Sequence, residues 1–165
     1  NAAAVAAGRV FADLGGAVKG KDAPAKFVNK TVFGGYQKKF KEGEWLSTDA
    51  ENNERYHADP YCEFVCSNNF FASFFKGLSG LYKKGACAPA DLPILLISGK
   101  DDPVGDMGKG VERLAKYYKE TGVRDVAVRL IEGARHEFLN EAEHREEGLS
   151  AIAEFVKRLP IRKKQ

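Results

Sequence analysis

What most constrains this chain is the order of two patterns in its second half. "LPILLISG" (92–99) and "DVAVRLIEG" (125–133) are short apolar runs closed by glycine, and each leads into a stretch with apolar residues at helical spacing. Such a run is the mark of a strand buried on both faces of a parallel sheet. The first helix is expected at about 106–121, with Met107, Val111, Leu114, Ala115 and Tyr118 on one side and Gly122 beyond its end. The second is expected at about 141–158, with Leu149, Ile152, Phe155, Val156 and Leu159 on one face and Pro160 closing it. Strand, helix, strand, helix is the doubly wound α/β pattern.

Residues 1–88 have a different texture, and the change falls at "KKGACAPADLP", which has loop composition. This half predicts helices at 2–15, about 24–30, about 48–57 after a Ser47 or Thr48 cap, and about 68–84. In "NNFFASFFKGLSGLYKK" the residues Phe70, Phe71, Phe74, Phe75, Leu78, Leu81 and Tyr82 form a wide apolar stripe, suited equally to packing and to contact with a greasy ligand. No third strand is legible. Two parallel strands want neighbours and helical cover, so the chain reads as part of a larger domain, cut at the front and with an open sheet edge prone to self-association. The alanine-rich opening, without an initiator Met, gives the same expectation.

Composition narrows the classes. A length of 165 residues with 44% apolar content suits one domain, and no run approaches the roughly 18 apolar residues of a membrane span. Stable membrane insertion is therefore not expected. The excess of 26 Lys and Arg over 23 Asp and Glu lies largely in the tail at Arg162, Lys163 and Lys164, so no basic face for nucleic acid is expected either. Cys62, Cys66 and Cys87 are an odd set without CxxC spacing, which favours a reducing compartment, the cytoplasm. Cys62 and Cys66 stand four apart, as metal ligands on a helix can, but no further Cys or His joins them at ligand spacing; they read as buried thiols, and no metal or cofactor is expected.

The chemistry lies at the strand ends. In parallel α/β sheets the ligand crevice lies beyond the carboxyl ends of the strands, which puts Asp102 of "SGKDDPVGD" and His136 of "EGARHEF" on one rim. A carboxylate accepting from imidazole Nδ1 fixes the tautomer and leaves Nε2 to take a proton from a hydroxyl nucleophile. Asp101 is the adjacent alternative acid, read as a cap or solvent-facing group. His57 and His144 read as surface residues on helices, and Arg135 and Glu137 as groups that orient the loop of His136.

These residues carry a resemblance. The run from Leu92 to Glu141, with Asp102 three residues after Gly99 and directly before Pro103 and Val104, and with Arg135, His136 and Glu137 followed by Leu139, Asn140 and Glu141, resembles the C-terminal part of an α/β-hydrolase of the lysophospholipase and monoacylglycerol-lipase-like group, also described as serine-aminopeptidase-like. "FGGYQKKF", "EWLSTDAENNERYHADPYCEF" and the aromatic helix resemble that group's lid and the segment returning from it. The resemblance implies a helical lid over 1–88, including Phe70, Phe71, Phe74 and Phe75 as substrate contacts, and a βαβα part of the core over 89–165. It implies a serine hydrolase of lipid-like esters, with Asp102 and His136 as the acid and base of its triad. The departure is the nucleophile. No G-x-S-x-G elbow occurs, and of Ser47, Ser67, Ser73, Ser79, Ser98 and Ser150 only Ser79 in "GLSGL" approaches one, inside a helical stripe and without the closing glycine. The chain alone is thus expected to be inactive. The alternatives are a non-catalytic binding or self-associating module, and an enzyme whose serine comes from another polypeptide.

Overall fold

The two apolar runs form β1 (Ile94–Gly99) and β2 (Val126–Ile131), which pair in parallel from Ile94 opposite Val126 to Gly99 opposite Ile131. The computed structural model describes residues 2–40, 44–62, 64–81 and 88–159. Tyr82, Cys87, the loop over 83–87, Pro160 and the basic tail, all singled out above, lie outside the described residues.

The chain divides into two compact units, Asn1–Lys39 with Tyr56–Cys87, and Phe40–Arg55 with Ala88–Gln165. Residues 40–55 thus fold with the second half of the sequence, not with the rest of the first.

In the first unit, α1 (Ala2–Lys19) packs on α4 (Asn68–Gly80) and on α2 (Lys26–Gln37). The core is Ala12, Ala25, Val28, Phe71 and Phe75, with Val5, Val32, Cys66, Ala72 and Leu78 against it. Gly8 is required in α1, since a Cβ there would stand 2.5 Å from the Phe75 ring. α1 runs past the expected residue 15 and stops at Gly20, which takes a positive φ of 97° without strain. α2 starts later than expected and continues through Gly34 and Gly35. α4 starts where the sequence places it, with Ser67 Oγ accepting from the Phe70 amide.

In the second unit α5 (Lys109–Glu120) and α6 (Arg145–Lys157) follow the strands, giving the expected two parallel strands with flanking helices. Both helices begin three or four residues late, for local reasons. Asp106, Met107 and Gly108 are all left-handed, with φ of 54°, 55° and 81°, so no right-handed helix can start before them. Before α6 the chain makes a short 3₁₀ turn, Phe138–Asn140, then a turn over 141–144. The strands are less buried than their composition predicts: residues 94–98 are only half covered, and Val128 and Arg129 are exposed. Among the described residues β1 pairs only with β2, so its other edge is open. Likewise α6 buries Gly148 against Phe138 while Leu149 and Val156 of the expected apolar face stay exposed.

α3 (Ala50–Ala58) starts after a different cap from the one expected. Asp49 accepts from the Asn52 amide at 3.2 Å, and that bond holds its carboxyl below the usual range. Ser47 and Thr48 are engaged otherwise: Ser47 Oγ accepts from the Asp49 amide, and Thr48 donates to Glu141. Among the described residues no helix is long and apolar enough to cross a membrane.

Candidate active site

The site is assembled by the ends of β1 and β2, and the contact between them depends on Gly99. A Cβ at that position would lie 2.1 Å from the Arg135 carbonyl oxygen and 2.3 Å from that of Ala134. With glycine there, the loops close: Lys100 donates its amide to Ile131 O at 2.8 Å, and Asp101 to Ala134 O at 2.9 Å. The next residue, Asp102, turns its carboxylate towards the imidazole two residues beyond Ala134.

Asp102 is 6% exposed. Its Oδ1 accepts from the Val104 amide at 2.8 Å, while Oδ2 faces His136 Nδ1 at 3.1 Å and Ser98 Oγ at 3.4 Å. Burial pushes the carboxyl upward, and the His136 bond with the Val104 and Gly105 amides overcomes it, leaving Asp102 below the ordinary carboxylate range. His136 moves the other way. Its hydrogen bond to Asp102 raises it, burial opposes, and the charges of Asp102 and Glu137 add to the rise. Each group favours the charged state of the other. The pair is an imidazole oriented through Nδ1, with Nε2 the nitrogen that Asp102 does not engage, and this can carry a proton between a hydroxyl and a leaving group.

Phe40 and residues 44–52 secure the histidine loop. The Glu137 amide donates to Leu46 O at 2.9 Å, and Asn52 Nδ2 donates to Glu137 Oε2 at 2.8 Å. Arg135 donates to the carbonyls of Glu44 and Ser47, and its guanidinium lies over the Phe40 ring. Glu141 is completely buried and accepts from Thr48 Oγ1 at 2.9 Å and from the Arg135 amide at 3.0 Å. Trp45 lies against His136, ring centroids 5.5 Å apart.

Sequence reasoning singled out Asp102 and His136, and the structure brings them together. Asp101 contributes its amide to the turn, as above. Arg135 and Glu137 do hold the loop. Trp45, Thr48, Asn52 and Glu141 were missed as parts of the site; Thr48 and Asn52 meet partners 93 and 85 residues away, and the burial of Asn52 and Asn53 inside a helix is visible only in the structure. His144 was read as a surface residue; its side chain is 13% exposed, with Nε2 3.7 Å from Glu141 Oε2. His57 is exposed, as read. Of the four phenylalanines, Phe71 and Phe75 belong to the core of the first unit, whereas Phe70 and Phe74 are half-exposed and stack with centroids 6.0 Å apart. Cys62 and Cys66, read as buried thiols, are only half-buried.

A family model described as serine aminopeptidase, S33, matches residues 2–143. Among solved structures, a thermostable carboxyl esterase from Bacillus coagulans is similar with a TM-score of 0.78 at 23% identity, over 95% of this chain and 52% of that one. A lipase in its open form is similar with a TM-score of 0.70 at 27% identity, over 84% and 47%. The monoacylglycerol lipase of Paleococcus ferrophilus has a TM-score of 0.52 at 24% identity, over 68% and 41%. This chain spans about half the length of the structures it matches. No curated protein matches it.

Proposed function

Because the chain belongs to the serine aminopeptidase S33 family, we propose that it is the part of a serine ester hydrolase that carries the acid and the base of the triad. The observation that carries this reading is the 3.1 Å approach of His136 Nδ1 to a buried Asp102. In the proposed reaction a serine hydroxyl attacks the ester carbonyl as His136 takes its proton. The imidazolium, held by Asp102, then returns the proton to the leaving alcohol, and water repeats the cycle on the acyl-enzyme. Such acyl transfer calls for no metal or cofactor.

The serine comes from outside these residues. Ser98 does not serve, since its hydroxyl meets the carboxylate of Asp102 rather than the base. Without a nucleophile such a relay loses about a million-fold in turnover. This chain alone is accordingly inactive.

The substrate is a lipid-like ester, of the lysophospholipid or monoacylglycerol kind. This draws on the names of the similar lipases and on the resemblance of residues 1–88 to a lid. In that lid the exposed faces of Phe70 and Phe74 would meet the acyl chain, with Phe71 and Phe75 supporting them from the core. The odd set of three cysteines, Cys62, Cys66 and Cys87, without CxxC spacing favours a reducing compartment, the cytoplasm.

Labelling of the full-length gene product by a fluorophosphonate probe, lost in His136→Ala, is the expected result. If that product also lacks a G-x-S-x-G elbow and resists the probe, the binding module is the better account. A second test bears on the isolated chain: turnover of a short-chain p-nitrophenyl ester that disappears in His136→Ala would contradict its inactivity. The open edge of β1 and the exposed Leu149 and Val156 favour self-association as a property of this chain.

A further inference from the structure

Trp45 is the sole tryptophan of the sequence. Its indole and the imidazole of His136 have centroids 5.5 Å apart and planes inclined at 42°. Their backbones are tied beside the rings, the Glu137 amide donating to Leu46 O at 2.9 Å. Further along, Asn52 holds Glu137 and Thr48 holds Glu141, so the two segments cannot separate at one point alone. A cation within about 6 Å of an aromatic ring is attracted to its face, whereas a neutral imidazole gains far less. Among the described residues the charged groups that face the imidazole are Asp102, from the turn after β1, and Glu137, next in sequence; the indole contributes an uncharged wall.

We propose that Trp45 is a positioning residue for His136, holding the imidazole where Nδ1 meets Asp102 and favouring the imidazolium over the neutral base. The catalytic side of this inference rests on the role proposed for His136. Its test needs no nucleophile, so the two can fail separately.

A protonated imidazole in contact with indole quenches its fluorescence, and all tryptophan emission of this chain comes from Trp45. Emission should fall as the pH is lowered from about 9 to about 5. The fall should vanish in His136→Gln and persist in His57→Gln and His144→Gln. Emission that stays flat with pH, or a fall that survives His136→Gln, overturns the contact. Proton NMR of the imidazole supplies the second readout: Trp45→Leu should lower the His136 midpoint by about half a pH unit, the size of a half-exposed cation–π contact. Trp45→Phe should restore most of that shift. A midpoint unmoved by Trp45→Leu overturns the stabilising role. If the full-length gene product resists the fluorophosphonate probe while the fluorescence titration behaves as described, the hydrolase reading fails and the role of Trp45 stands.

Discussion

At the scale of single residues, the pair depends on a group that carries no chemistry. Gly99 has no side chain, and the oxygens that a Cβ would strike are backbone carbonyls of the histidine loop. Gly99→Ala should therefore cost about 3 kcal/mol, since the obstruction cannot turn aside as a side chain could. Chemical denaturation measures that loss, and a cost below about 0.5 kcal/mol would mean that the loops are not in contact. The charges of the pair give a pH dependence whose sign is fixed. His136 is raised on folding, so its contribution is fully present below the unfolded imidazole value of about 6.5 and is lost as pH rises through the folded value. Asp102 is lowered, so its contribution is present above the unfolded carboxyl value of about 3.9 and is lost as pH falls through the folded one. The pair thus stabilises the fold most between those two unfolded values. Thermal melts should show the wild type losing stability relative to His136→Gln as the pH rises above about 6.5, since the variant lacks that component.

At the scale of elements, what surrounds the pair is set by how α5 and α6 begin. The left-handed turn at 106–108 ends in Gly108, where a Cβ would stand 2.8 Å from Leu130 Cδ1 in addition to the positive φ. Gly108→Ala should cost about 2 kcal/mol by denaturation, and a neutral result would contradict the turn. The turn ahead of α6 leaves Glu141 free to face inward, where Thr48 and the Arg135 amide use it. Glu141→Ala would take the acceptor from the half-buried Arg135 amide and from the exposed Thr48 hydroxyl, with an expected cost of about 2 kcal/mol and a larger exchange rate at the Arg135 amide. Glu141→Gln keeps an acceptor and should recover part of it. The exposed ion pairs on the same unit, Lys100 with Glu132 and Arg129 with Glu147, are worth little beside this.

At the scale of the whole molecule, what the sequence made legible follows a physical rule. Asp102 and His136 could be read because each directly follows a strand, and strand ends in parallel sheets share a rim. Residues 40–55 could not be read as part of the site, because Thr48 and Asn52 find their partners 93 and 85 residues away and nothing local marks such a pairing. The late helix starts at 109 and 145 escaped for another reason: left-handed Asp and Met leave no compositional trace comparable to glycine, and the 3₁₀ turn has helical composition. The half-covered strands reflect a parallel pair without a further neighbour among the described residues, and an edge of that kind should associate. Sedimentation velocity should show mass rising with concentration, abolished by Leu96→Lys in mid-strand; a concentration-independent monomer would contradict it. The central claim is the ion-paired base, and it is tested most directly by NMR titration of His136 in the wild type and in Asp102→Asn. The account predicts a midpoint above the ordinary imidazole value that falls when the carboxylate is removed. A midpoint at or below that value, unchanged by Asp102→Asn, would contradict it.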